Sequence, residues 1–209
     1  MELPYNRVAG HDLGRISALS DGIFAVAMTL LVLEIHTPDS ADIHSEAQLW
    51  AALTALSPRL LTWLLSLMTL GIFWVGQQTQ LNQLRRTDRG LSWLHFVFLA
   101  VITIIPFTTR LLAEFFTFRV AFLLYWGNIA LAGASLYLCW AKAERASLLA
   151  ESATAATSSA IKRRIVVAQA LYACGALVGL VSVPAGVAVI IAVQLNYAIA
   201  PRLPVLFKL

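Results

Sequence analysis

Arg15, Ser20 and Asp21 lie at the entry to a long apolar run, Gly22 to Leu33. Ionisable groups at membrane depth are costly and mark ion paths, proton relays or polar clasps between helices. Downstream, Trp74 and Gln77 close a second apolar run, and His95 opens a third. Indole, amide and imidazole can each donate to the Asp21 carboxylate, and Arg15 supplies positive charge nearby. An unpaired carboxylate in hydrocarbon is expensive, so desolvation alone predicts a network of Arg15, Ser20, Asp21, Trp74, Gln77 and His95. Two readings stay open for it: a clasp that fixes helix packing, and a group that binds or passes an ion.

Beyond Asp21, the residues Gly22, Val26, Thr29 and Leu33 fall at i, i+4, i+7 and i+11, and Leu30 adjoins them. That spacing keeps one helix face, about 16 Å long from Gly22 to Leu33. A narrow apolar face with one hydroxyl suits a pore wall or a tight packing seam. Val32 lies about 240° round the helix from Val26 and is expected to serve packing instead.

The elements that carry these residues are predicted to be membrane helices. The chain is 59% hydrophobic and 12% charged. Six apolar runs, at 17–35, 58–80, 91–112, 120–141, 165–183 and 184–200, have the length that crosses ~30 Å of hydrocarbon. The expected fold is an all-α integral membrane protein, a single domain over 1–209 with six transmembrane helices and no internal repeat. The first run is not read as a cleaved signal, because Asp21 interrupts it and no small-x-small site follows Glu34.

Charge orients the spans. Arg7, Arg15, Arg85, Arg86, Arg89, Lys142, Arg145, Lys162, Arg163, Arg164, Arg202 and Lys208 gather at one set of run ends. Arg59, Arg110 and Arg119 lie at the other. Twelve against three places both termini in the cytoplasm by the positive-inside rule. The net charge of +4 is thereby explained without a nucleic-acid partner. Cys139 and Cys174 read as small apolar residues within spans, not as a disulfide or metal pair.

The connectors are short. An acidic stretch, 36–46, leads to an interfacial helix over 48–56 that holds Trp50, and Ser57-Pro58 starts the second span. Small polar residues over 151–160 suggest a mobile or loosely helical connector, and Ser182-Val-Pro-Ala-Gly186 suggests a tight outer hairpin. Gly175 and Gly179 allow a close helix approach, either within the subunit or between subunits.

The first run resembles the bacterial branch of the transmembrane protein 175 family, potassium-permeable channels whose first helix carries an Arg followed by Phe-Ser-Asp. This chain has Arg15 and Leu19-Ser20-Asp21, then Gly22-Ile-Phe-Ala-Val-Ala-Met-Thr-Leu-Leu-Val-Leu-Glu34, similar to the family's Gly-Val-x-Ala-Ile-x-x-Thr-Leu-x-Val-Leu-Glu. Phe73-Trp74-Val-Gly-Gln77 resembles a Phe-Trp-x-x-His pattern with Gln for His. His95-Phe-Val-Phe-Leu99 and Ile105-Pro-Phe107 resemble Asn-x-x-Phe-Leu and Ile-Pro-Phe, with His for Asn. The resemblance spans the first three helices and not the last three.

It implies a prokaryotic plasma-membrane channel, potassium over sodium, built as a homotetramer around four first helices. It further implies a constriction at Val26, a hydroxyl layer at Thr29 and an apolar continuation at Leu30 and Leu33. Potassium would be the permeant ion, and no cofactor or metal site is implied. The alternative is a proton-coupled secondary transporter that uses Asp21, Arg15 and His95 as a relay. Against it stands the lack of a repeat and of ionisable groups within the later runs. No His-x-x-x-His pair and no nucleophile motif occurs, so the chain does not read as an enzyme.

Overall fold

Helix starts follow from local chemistry. Asp12, Ser45, Asp88 and Thr154 each turn a side-chain oxygen onto the backbone N–H three residues on. Such a cap satisfies one of the amides that a helix leaves free at its start. The computed structural model describes residues 10 and 12–199. Its helices are α1 (Leu13–Leu33), α2 (Glu46–Ala55), α3 (Ser57–Leu81), α4 (Arg89–Thr103), α5 (Ile105–Glu114), α6 (Arg119–Arg145), α7 (Ala155–Gly179) and α8 (Val183–Ile199). Arg7, Arg202, Lys208 and the last residue of the sixth run lie outside the described residues.

Four stretches, Leu13–Leu33, Ser57–Leu81, Arg89–Glu114 and Arg119–Arg145, are long and apolar enough to cross a membrane. Val183–Ile199 is apolar but shorter. Lys162, Arg163 and Arg164 occupy the first half of α7, so only its second half is apolar.

Two segments differ from the sequence expectation. The run 91–112 is not one helix but two, parted at Ile104. Pro106 has no N–H for the carbonyl one turn back, and its ring crowds that turn. The Ile104 amide instead donates to Val101 O at 3.2 Å, and α5 restarts with the proline in its first turn. The second difference is the connector after α6. It shrinks to nine residues, 146–154, because the Thr154 cap starts α7 at Ala155, ahead of the expected 165. What remains is pinned to the α3–α4 turn: Arg85 N donates to Leu148 O at 3.0 Å, and Ala150 N to Gln83 O at 2.8 Å. Lys142 Nζ lies 3.6 Å from Asp88 Oδ2 at the same end.

α1 packs on α3, α4 and α5, while α6 joins α4 and α5 to α7, and α8 closes onto α7 and α3. Phe24, Phe73 and Phe98 tie the first three long elements together, with ring centroids 6.2 Å apart in each of two pairs. The glycines of α7 serve packing within the subunit. A Cβ on Gly179 would collide with the Phe122 ring, and one on Gly186 would stand 2.6 Å from Gly179 Cα. α2 buries no residue and leaves Trp50 exposed.

Candidate functional site

The buried stripe of α1, Ser20, Phe24, Ala27 and Leu31, turns toward the bundle and fixes how the rest of the helix faces. Ser20 Oγ donates to Ile16 O at 2.7 Å and accepts from Gln77 Nε2 at 2.8 Å. Asp21 Oδ1 accepts from Trp74 Nε1 at 2.9 Å and from Gln78 Nε2 at 2.8 Å. Trp74 and Gln78 are four residues apart and share a face of α3, so one carboxylate oxygen receives both. The result is a clasp of three interhelical bonds between α1 and α3. Of the two adjacent amides that end this run, Gln78 and not Gln77 is the one that reaches Asp21, because it stands at i+4 from Trp74.

Arg15 and His95 do not join this clasp. Six residues separate Arg15 from Asp21, about 240° of helix, which turns the two side chains apart. His95 Nδ1 lies 3.0 Å from Leu91 O of its own helix, and its buried Nε2 has no hydrogen-bond partner among the described residues. Arg15 and His95 instead line a concavity between α1 and α4, together with Asp12 and Ser92. The six-residue network thus divides in two: Ser20, Asp21, Trp74 and Gln77 between α1 and α3, and Arg15 and His95 between α1 and α4.

The opposite face of α1 is bare. Val26 is 58% exposed and Leu33 67%, whereas Leu31 is fully buried. Leu30 and Thr29 are exposed beside them, and Thr29 Oγ1 donates to Val26 O at 2.8 Å. Gly22, Val26 and Leu30 line a shallow groove whose far edge includes Thr103 of α4. Val32 is also half exposed, not packed, which corrects the expectation from its angular position. At its far end α1 is held by Glu34 Oε2, 3.4 Å from Arg110 Nε.

A second polar cluster carried no local sequence signal. Thr109 Oγ1 donates to Ser66 Oγ at 2.6 Å, and Ser66 Oγ to the Tyr125 hydroxyl at 3.2 Å. Gln194 Nε2 donates to Thr69 Oγ1 at 2.6 Å, which itself lies 3.0 Å from the Tyr125 hydroxyl. These buried groups link α3, α5, α6 and α8, and buried polar atoms need such partners. Among the described residues no group of three or more His, Cys, Asp or Glu side chains is placed to hold a metal.

With this geometry in view, the chain's similarities fall into place. The family described as "Endosomal/lysosomal potassium channel TMEM175" matches residues 15–106, from the first turn of α1 to the first turn of α5. A protein of Chamaesiphon minutus named a potassium channel is 31% identical over 90% of this chain and 94% of its own length. A Streptomyces collinus protein named a potassium channel is 38% identical over 50% of this chain. That match spans 50% of the Streptomyces protein's length. The crystal structure of a lysosomal potassium-selective channel TMEM175 homolog from Chamaesiphon minutus superposes with TM-score 0.77. It is 28% identical and covers 91% of this chain and 98% of its own. Relatedness therefore extends into α6–α8, beyond the three helices whose motifs were legible.

Proposed function

The chain belongs to the TMEM175 family of potassium channels, an ion-channel family and not an enzyme class, and from that premise we propose that it conducts potassium in preference to sodium. The path is enclosed by the α1 helices of four subunits, since one helix cannot surround an ion. One observation carries this reading. All polar ties of α1 to α3 lie on one side of the helix, and the side bearing Gly22, Val26, Thr29 and Leu33 is left uncovered by its own subunit. In a tetramer that side turns inward.

Selectivity arises at an apolar constriction, because the sequence contains no Thr-Val-Gly-Tyr-Gly filter. Val26 forms the ring, Thr29 adds a hydroxyl layer, and Leu30 and Leu33 continue the narrow part. Sodium, smaller and more tightly hydrated, loses more on entering such a ring than potassium does. The polar residues act as the clasp that aims this face, with Ser20, Asp21, Trp74 and Gln77 at its centre.

Each subunit has six spans in a prokaryotic plasma membrane, with both termini cytoplasmic. The apolar second half of α7 and the 17-residue α8, about 26 Å long, supply the fifth and sixth. The basic excess at the end of the bundle that holds the α3–α4 turn supports that orientation. The partners are lipid, potassium ions and three further copies of the chain. The separation of Asp21 from Arg15 and His95 speaks against a continuous proton relay and so against the carrier. Purified protein in liposomes loaded with potassium should discharge it without a proton gradient. Saturable uptake that needs a proton gradient would replace the channel with the carrier.

A further inference from the structure

Behind the clasp, on the far side of α3, lies a cleft that no helix among the described residues fills. The strip of α3 around Gly76 that borders it stands about 150° round from Trp74, Gln77 and Gln78. The cleft has a volume of about 130 Å³ and is walled mainly by apolar side chains of α3, α6 and α7. Its depth depends on small residues, Gly76, Gly133 and Ala168, one from each wall. A Cβ on Gly133 would collide with the Gln169 amide, so that glycine is what admits the amide to the cleft.

The end of the cleft is different in character. Arg164 lines it, with its guanidinium 5.1 Å from the centre of the Tyr197 ring. Stacking on an aromatic ring holds an arginine in place without neutralising it. Among the described residues no carboxylate pairs with Arg164, and the Gln169 amide makes no hydrogen bond. An apolar slot thus ends in an uncompensated cation, with the free Gln169 amide deeper in it, against Gly133.

We propose that this cleft binds an anionic phospholipid, with one acyl chain between α3, α6 and α7 and the phosphate on Arg164. The assignment to the cytoplasmic leaflet rests on the orientation adopted above, since Arg164 follows Lys162 and Arg163 at the basic end. Basic pockets between membrane helices on that side suit anionic headgroups. Position favours lipid over another subunit: the cleft lies on the opposite face of α3 from α1, where a subunit built around α1 meets the bilayer. A second copy would also have to bring a carboxylate to Arg164.

Delipidated protein in detergent, titrated with phosphatidylglycerol and with phosphatidylcholine of the same chain length, tests this by counting bound lipid in intact-complex mass spectrometry. Wild type should retain phosphatidylglycerol about fivefold better, the factor expected from one cation near an anionic headgroup. Arg164→Gln should erase that preference and leave phosphatidylcholine retention unchanged, while Ala168→Phe should lower retention of both. Equal retention of the two lipids by wild type, or a preference that survives Arg164→Gln, would overturn the proposal. A change in subunit number with Ala168→Phe, with no change in bound lipid, would assign the cleft to a second copy instead. Bound lipid is read without conductance, so this result and that of the potassium assay stand or fall separately.

Discussion

Val26 and Val32 are both half exposed, 58% and 50%, but they point about 240° apart on α1. The pair therefore separates register from mere exposure. Val26→Asn should wet the proposed constriction and lower the potassium-to-sodium permeability ratio about fivefold, equivalent to ~1 kcal/mol of dehydration difference, while flux persists. Val32→Asn should leave the ratio unchanged. Reversal-potential measurements on reconstituted protein decide between them, and an unaltered ratio in Val26→Asn would move the constriction to Leu30 or Leu33. The same 240° explains what single residues did and did not disclose. Ser20 and Asp21 could be matched to Trp74 and Gln77 because desolvation demands donors for a carboxylate. Arg15 could not be excluded from the group until its angle to Asp21 was weighed. Ser66, Thr69, Thr109, Tyr125 and Gln194 escaped notice because lone hydroxyls scattered through apolar runs have no periodicity; only the packed bundle brings them together.

At the scale of elements, the apolar runs located the long helices, since length and hydropathy are set by the bilayer and not by partners. What they missed was the break at Ile104, although Pro106 signalled it, and the early start of α7, which a threonine cap decides against a polar composition. The tightest joint is that of α7 and α8. There Gly186 faces Gly179 and the Phe122 ring, and a methyl group has nowhere to go. Gly186→Ala should destabilise the protein by about 1–3 kcal/mol through overpacking. Gly127→Ala in α6, where an added Cβ meets nothing within 4 Å, should be neutral or slightly stabilising. Thermal unfolding in detergent compares the two directly; equal midpoints would show that the joint has slack.

For the whole molecule, the proposed path exists only in the assembly. The purified complex should have the mass of four 22.8 kDa chains once bound detergent is subtracted. A stable monomer that still conducts would remove the pore from the α1 face altogether. Within each subunit α1 is tied to α3 at Asp21, near the helix's middle, and to Arg110 of α5 at Glu34, just past its end. Between these ties the stretch that carries Val26 and Thr29 is backed by Phe24, Ala27 and Leu31, all buried in the bundle. In the proposed fourfold ring, a shift of that packing shared by all subunits changes the gap between opposite helices by twice its own size. The width of the proposed opening is thereby fixed from behind, by packing on the side of α1 that a permeating ion never meets.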